Sequence, residues 1–488
     1  MKILLIDPPY ERFIGFKSEW FPMGISYIAS YLAVRGHDVA IYHAEHGSDT
    51  EYKSVVKYSE NFNKYKSAIG SDDHPVWAEV KREISSFCPE VVGISVLTPK
   101  VPSAFKIAEI CKSINPKMVV VFGNHHPTIK PDEILSSENV DFVIRGEGEE
   151  TFSSLINNLD SPSPDYHNVA GLSFIDNGKC VSNNDRACID NLDSLPFPAR
   201  DRLLNLQTYT PVQLSMVMTS RGCPYNCSFC ASHNMWGKKV RFRSVENIIN
   251  EINELKDSYS VKNITFMDDS FTINRKRVKD LCLAMIETNV NITWSCLTRV
   301  NVISDEIIDL MKKAGCTKVD VGIESGTQRI LDLIKKDITL EQVRKAAEIL
   351  RRNKMFWSGF FMFGFPTETE NEIFDTINFL KELNPNWANI SIFTPYPGTD
   401  LYELSLEKGL TNELPDYTLY SHQNSNLRFT DTIPIERFHL LAHHVLSEVH
   451  KYNSSYTSLV KRALTRKYHK NPNLLLQDAR KVFTWLKK

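Results

Sequence analysis

What this chain lacks narrows its class. No stretch reaches the roughly 20 apolar residues that a membrane-spanning helix needs. Neither sign of charge prevails: 57 Lys and Arg stand against 59 Asp and Glu, a net charge of -2, so no basic field draws the protein to nucleic acid or anionic lipid. The ten cysteines show no disulfide-framework spacing, which accords with a reducing cytoplasm. There is no Gly-x-Gly-x-x-Gly, which disfavours a dinucleotide site. The apolar run after Met1 is too short for a signal sequence and reads as a first β-strand closed by Asp7-Pro8-Pro9. A small molecule or a peptide is the partner these absences leave. At 488 residues the chain exceeds one compact core and predicts two or three domains.

What stands out is Cys223, Cys227 and Cys230, a Cys-x3-Cys-x2-Cys run in TSRGCPYNCSFC directly after the apolar Leu214–Met218. Three thiolates on one loop make a soft donor set suited to iron–sulfur chemistry. Held by three cysteines, a [4Fe–4S] cluster keeps one iron free of protein ligands, and that iron can chelate an amino and a carboxylate group. Two other readings stand beside it. His233 follows Cys230 by three positions, so the run can close a structural Cys3His zinc site. An electron-transfer cluster needs a fourth cysteine, and the others are scattered singly at 88, 111, 180, 188, 282, 296 and 316.

The chain reads as α/β throughout. Residues 1–150 alternate short apolar runs (Ile3–Asp7, Asp38–Tyr42, Val91–Ser95, Met118–Gly123, Phe142–Arg145) with amphipathic stretches, which predicts a doubly wound, Rossmann-like parallel sheet with its site beyond the carboxyl ends of the strands. The insert at 45–76, with Tyr52, Tyr58, Phe62 and Tyr65, reads either as a helical cap over that face or as a solvated helix pair. Residues 151–205 read as a linker with a hairpin at Asp176-Asn177-Gly178 and a stiff joint at Leu195-Pro196-Phe197-Pro198. Residues 206–400 repeat strand then helix about six times, as in a partial TIM-type (β/α)6 barrel. Residues 401–488 are helical, with His439, His443, His444 and His450 on one solvated or substrate-facing helix and a basic tail helix at Lys461–Lys488.

The cysteine spacing, with Phe229 before the last cysteine, resembles the signature of radical S-adenosylmethionine (SAM) enzymes. Upstream, the ordered strand-end loops, above all Gly-x-x-His-x-Thr at Gly123–Thr128 and Gly146-Glu147-Gly148-Glu149, resemble the cobalamin-binding domain fused to many of them. The resemblance implies cluster ligation by Cys223, Cys227 and Cys230. It implies SAM contacts from Phe229, Asp268, Asp269, Arg299, Glu324, Gly364 and Phe393, with the aspartates on the methionyl amine and Arg299 on its carboxylate. Cobalamin contacts fall to Pro8, Ser95, Thr98, Gly123, His126, Thr128, Gly146 and Glu147. The Asp-x-His-x-x-Gly of proteins that ligate cobalt through histidine is missing, which leaves the lower axial position to a loop, a water or nothing, or to His125 or His126.

The implied activity is reductive cleavage of SAM to a 5′-deoxyadenosyl radical, with an electron from a donor such as flavodoxin or ferredoxin. The implied outcome is methylation of an unactivated carbon or a phosphinate phosphorus in a small molecule or peptide. A radical cyclase, rearrangement or oxidoreductase reaction without methyl transfer is the second reading, resembling the anaerobic Mg-protoporphyrin ester cyclase. A zinc-stabilised cobalamin or redox sensor without catalysis is the third.

Overall fold

A computed structural model describes residues 1–15, 20–47, 61–455, 458 and 462. Ile3, Leu4, Leu5 and Ile6 are all buried, as a strand covered on both faces requires. Five strands run parallel in the order β2-β1-β3-β4-β5: β1 (Lys2–Asp7), β2 (Asp38–His43), β3 (Val91–Ser95), β4 (Val119–Gly123) and β5 (Phe142–Ile144). Ile3 and Leu5 join a core with Ala29 and Leu32 of α1 (Met23–Ala33), while Leu4 and Ile6 join the core on the opposite face. Strand order reverses at β1, which opens a crevice at the carboxyl ends of β1 and β3.

The insert packs inward. In α2 (Phe62–Ile69), Phe62 and Tyr65 are buried, and the Tyr65 hydroxyl donates to the Pro99 carbonyl at 3.0 Å. Of the two expectations for this segment the cap is the one the geometry matches; Tyr52 and Tyr58 lie outside the described residues. The hairpin forms at Asn177 and Gly178, both in the left-handed region (φ 49° and 76°). Its strands β6 (Leu172–Asp176) and β7 (Lys179–Ser182) extend the first sheet antiparallel to β5, so this part of the expected linker belongs to the first sheet. The boundary drawn at 150 also cuts through α3 (Gly148–Leu159).

After the proline joint the chain lies along β2: Leu204 N–H donates to the Ile41 carbonyl at 2.8 Å. Arg200, fully buried, enters the second domain, donating to the Leu214 carbonyl at 3.0 Å, the Met216 carbonyl at 2.6 Å and Glu251 Oε1 at 3.1 Å.

The second sheet is parallel and sequential: β8 (Met216–Val217), β11 (Asn263–Phe266), β12 (Thr293–Arg299), β13 (Cys316–Glu324), β14 (Phe356–Phe363) and β15 (Trp387–Ile392). A two-stranded ribbon, β9 (Ser220–Arg221) with β10 (Arg241–Phe242), brackets the cysteine loop. The crossover helices start at side-chain caps: Ser244, Asn274, Ser304, Thr339 and Thr369 each accept a backbone N–H, as abundant Ser, Thr and Asn at strand–helix junctions favour. The β15 edge is covered by α4 (Ile435–Ser454), whose Asn453 pairs with both backbone groups of Ala388, at 2.9 and 2.8 Å. On that helix His443 and His444 are exposed and His439 is bonded to the Asn426 carbonyl, so these three do not converge. The expected basic tail helix lies almost wholly outside the described residues.

Candidate active site between the two sheets

The cysteine loop leaves β9 and is pinned on both sides. Asp268 accepts Thr219 N–H at 2.6 Å and Ser220 N–H at 2.7 Å, and it also takes the Thr219 hydroxyl. Gly222 turns the chain at φ +99°, and a Cβ there would stand 2.5 Å from the Lys239 carbonyl oxygen, so only glycine fits. Ser228 N–H donates to the Ile334 carbonyl at 3.0 Å and its carbonyl accepts Leu401 N–H at 2.9 Å. Cys223 and Cys227 are half-buried and Cys230 is open to solvent. Although Cys230 meets solvent, the packing around it, helped by the charge of Asp269, pushes its thiol up to about 11. The His233 ring nitrogen is bonded to the Cys223 carbonyl at 2.9 Å rather than directed at the sulfurs, which argues against a Cys3His zinc site. Among the described residues no three His, Cys, Asp or Glu side chains converge on a single ion.

The expected SAM residues divide. Arg299 reaches this loop: its guanidinium lies 3.6 Å from the Tyr225 ring centroid, one nitrogen is 3.4 Å from Cys227 Sγ, and its Nε is buried without a partner. Asp269 accepts the Ser232 hydroxyl at 2.6 Å beside the cysteines. Phe229 faces Phe365, with ring centroids 6.4 Å apart. Glu324 is bound to Lys336 Nζ at 2.6 Å in a buried pair, and the absent side chain of Gly322 leaves room for it, since a Cβ there would stand 2.8 Å from Glu324 Oε1. Gly364, at φ +84°, donates its N–H to Glu368. Two expectations fail. Asp268 is buried and saturated by Thr219 and Ser220, so it anchors the loop rather than facing a ligand. Phe393 is fully buried in an aromatic cluster, tilted against Phe365 and edge-on to Phe429.

Two cavities open at the carboxyl ends of the first sheet. A slot of about 270 Å³ is lined by Gly93, Gly123, Gly146 and Gly148 with Leu5, Ile28 and Phe152, and is closed from the barrel side by Met218, Met235 and Trp236. A Cβ on Gly93 would come within 2.7 Å of Leu5 and 2.8 Å of Phe152. Glycine-lined and apolar on both walls, the slot fits a flat ring. The second cavity, about 530 Å³, shares Gly24, Ser95, Leu97 and His125 with the slot and extends to Ala231, next to Cys230. Thr98 lines it too.

His126, expected on this face, is fully buried between Thr98 Oγ1 at 3.2 Å and the Tyr417 ring. Its neighbour His125 lines both cavities instead, and burial pushes its pKa down to about 4, which leaves a neutral ring. Pro8 and Thr128 line neither cavity; the Thr128 hydroxyl accepts Gly146 N–H at 3.0 Å and so shapes the loop from behind. The second cavity also carries a polar wall that the strand-end reading did not single out. Lys100 Nζ lies 2.8 Å from Asp7 and 3.4 Å from Glu45, and burial together with the Glu45 charge pushes Glu11 up to about 7.

Glu147 does line the slot, but it is bonded across it. Its oxygens accept from Arg221 Nη1 at 3.1 Å, from Arg241 Nη1 at 2.9 Å and from Ile189 N–H at 2.6 Å, while Glu149 accepts from Arg221 Nη2 at 2.6 Å. All four charged side chains are buried. Arg221 and Arg241 on either side of the cysteine run are visible in the sequence, but their partners could not be read from it.

A half-closed parallel barrel with a three-cysteine loop at its mouth, docked on a doubly wound sheet with a glycine-lined slot, defines a two-domain radical enzyme. Residues 217–397 match the radical SAM superfamily, and residues 13–156 match the B12 binding domain. An uncharacterized methyltransferase of Pyrococcus horikoshii is 36% identical over 417 residues, covering 84% of each chain. The chain belongs to the radical SAM superfamily, in the branch that carries a B12-binding domain, and is a radical SAM enzyme.

The cytidylyl-2-hydroxyethylphosphonate methyltransferase of Streptomyces wedmorensis is 27% identical over 86% of this chain and 84% of its own. The anaerobic magnesium-protoporphyrin IX monomethyl ester cyclase of Rubrivivax gelatinosus is likewise 27% identical, over 86% and 72%. The fold is shared with the radical SAM methyltransferase TsrM of Kitasatospora setae, solved with tryptophan and a SAM analogue (TM-score 0.68, 15% identity, 98% and 99% covered). The branch's cofactors, a [4Fe–4S] cluster, SAM and cobalamin, fit what is present: three cysteines on one pinned loop, Arg299 with an unpartnered nitrogen beside them, and a slot lined by Gly93 and Gly148, where a Cβ would stand 2.7 Å from Leu5 and from Ile28.

Proposed function

We propose that this protein is a cobalamin-dependent methylase acting on an unactivated carbon, or a phosphinate phosphorus, of a small molecule or peptide. The observation that carries the reading is the pair of adjoining cavities running from the glycine-lined slot to Ala231 beside the cysteine loop. The residues lining the slot would hold a methyl carrier and those beside the cysteine loop SAM, with room for a substrate in the cavity between. When bound, the cluster and the cobalamin supply the electron that splits SAM and the methyl group that is transferred. The protein's own residues hold and seal. Asp268 and Gly222 place the thiols, Arg299 offers a guanidinium suited to a carboxylate, and Asp269 lies open beside them to accept from an ammonium. Met218, Met235 and Trp236 face the slot with apolar surface from the barrel side. The open edge at Cys230 is where a donor such as flavodoxin or ferredoxin approaches, in the cytoplasm.

The test is anaerobic turnover with each candidate substrate, measuring 5′-deoxyadenosine and S-adenosylhomocysteine together. Methylation requires both products. With substrate consumed, 5′-deoxyadenosine without S-adenosylhomocysteine removes methyl transfer and leaves a cyclase-type or redox reaction. Alanine at Cys223, Cys227 or Cys230 abolishes both products.

A further inference from the structure

We propose that Arg221 is a positioning residue through which a ligand in the slot of the first domain sets the placement of the cysteine loop, and with it the affinity of that loop's cluster for SAM. The proposal rests on the cofactor reading above. It starts from one turn with two duties: Gly146, Glu147, Gly148 and Glu149 form a wall of the slot, and the two carboxylates hold Arg221, which lines the same slot.

The guanidinium spans both carboxylates, at 3.1 and 2.6 Å, and sits between the rings of Tyr27 and Trp236 at 5.1 and 5.0 Å. Arg221 is 4% exposed, so water neither screens nor replaces these bonds. Arg241 balances the second negative charge, at 2.9 Å from Glu147. Two carboxylates and two guanidiniums cancel, and a buried set of this kind is held together only while every partner is present.

Beyond Arg221 the chain has no slack. Gly222 holds φ +99° beside the Lys239 carbonyl, where an added Cβ would stand 2.5 Å away, and the carbonyl of Cys223 is held by His233 at 2.9 Å. A shift of the Glu147–Glu149 turn therefore reaches the first cluster ligand two residues past Arg221. Lysine keeps the charge at 221 but cannot span two carboxylates as a planar fork does. A purely structural Arg221 would affect stability alone, leaving any dependence of SAM binding on slot occupancy as it was.

The experiment uses anaerobic enzyme carrying its cluster but no corrinoid, titrated with SAM in the absence and presence of saturating hydroxocobalamin. The readouts are the SAM dissociation constant and the electron paramagnetic resonance spectrum of the reduced cluster. In the wild type the dissociation constant differs about five-fold or more between the two conditions, the low end of typical coupling between sites, and hydroxocobalamin alters the spectrum. Arg221→Lys, with its iron content intact, still binds hydroxocobalamin, but the difference falls below about two-fold and the spectral change is lost. Glu149→Gln, which keeps one acceptor oxygen, falls between.

Equal SAM affinity in the two wild-type conditions overturns the proposal, as does the full wild-type difference persisting in Arg221→Lys. If Arg221→Lys does not fold, Glu149→Gln decides: a wild-type difference there overturns the proposal and a reduced one supports it. Wild type that takes up no hydroxocobalamin overturns the cobalamin reading and this proposal together, whereas uptake without effect overturns this one alone.

Discussion

Asp268→Ala removes the acceptor that holds Thr219 N–H at 2.6 Å and Ser220 N–H at 2.7 Å, and it deprives the Thr219 hydroxyl of a partner. Thr219 is fully buried and Ser220 nearly so. Each orphaned buried donor costs about 1–3 kcal/mol, so the two amides alone account for about 2–6 kcal/mol. Arg277, whose charge draws the Asp268 carboxyl down against the upward push of burial, loses its counter-charge as well. In a domain of barrel size about 1 kcal/mol moves Tm by about 2–4 °C, so the loss is at least about 4 °C. Asp268→Asn keeps an oxygen for both amides and falls less. Scanning fluorimetry on cluster-free protein isolates this effect from lost cofactor; SAM affinity of the reconstituted enzyme is then measured on the same variants. An Asp268→Ala protein that melts like the wild type yet no longer binds SAM refutes the anchoring role and returns this carboxylate to the methionyl amine.

Gly123→Leu places a side chain in the slot wall. Its Cβ meets only Ile144, 3.6 Å from the carbonyl oxygen and 3.8 Å from Cβ, both ordinary contacts, so the protein folds and keeps its iron. Hydroxocobalamin affinity, followed by absorbance after gel filtration, drops about ten- to hundred-fold, in line with overpacking costs of about 1–3 kcal/mol. Lys336→Met strands the buried Glu324 carboxylate, costing about 3–5 kcal/mol, while adding Glu324→Gln to it recovers part of the loss in urea unfolding. Burial raises the Glu368 carboxyl from 4.5 to about 8, so the folded protein keeps a proton that the unfolded chain has released between those values. Its contribution is fully present below about pH 4.5 and is lost as pH rises through about 8, on the order of a few kcal/mol. Glu368→Gln flattens this decline, and melting curves at pH 6 and 8.5 for both proteins check it.

The strands were legible because their apolar runs are continuous: Ile3–Ile6 and Val91–Ile94 can only be sheet interiors covered on both faces. Where a strand reading overshot, a polar side chain took over the ladder. The apolar run Leu214–Met218 pairs only at Met216–Val217, since the Thr219 and Ser220 amides turn to Asp268. The cysteine loop and its neighbours Arg299 and Asp269 were legible from spacing and strand-end position. The same position misplaced Asp268, because a carboxylate at a strand end faces either the ligand or the next loop, and nothing local decides which. His125 and His126 differ only in which way a short helical turn rotates them. The Glu147–Arg221 network was out of reach for another reason: its partners lie 74 residues apart and in different domains.

Arg200 bears on how this protein is made. Glu251, sealed from water, accepts from Arg200 at 3.1 Å and from Arg243 at 2.5 Å, and the first belongs to the joint rather than to the barrel. On the ribosome the arginine emerges before the acid that needs it, so it waits, solvated, until the helix bearing Glu251 follows. A gene fragment starting at residue 206 would yield a barrel whose interior acid has one cation in place of two, with the Leu214 and Met216 carbonyls unanswered beside it. Dissection of the two halves therefore has to cut ahead of Pro196, leaving the joint on the carboxyl-terminal piece.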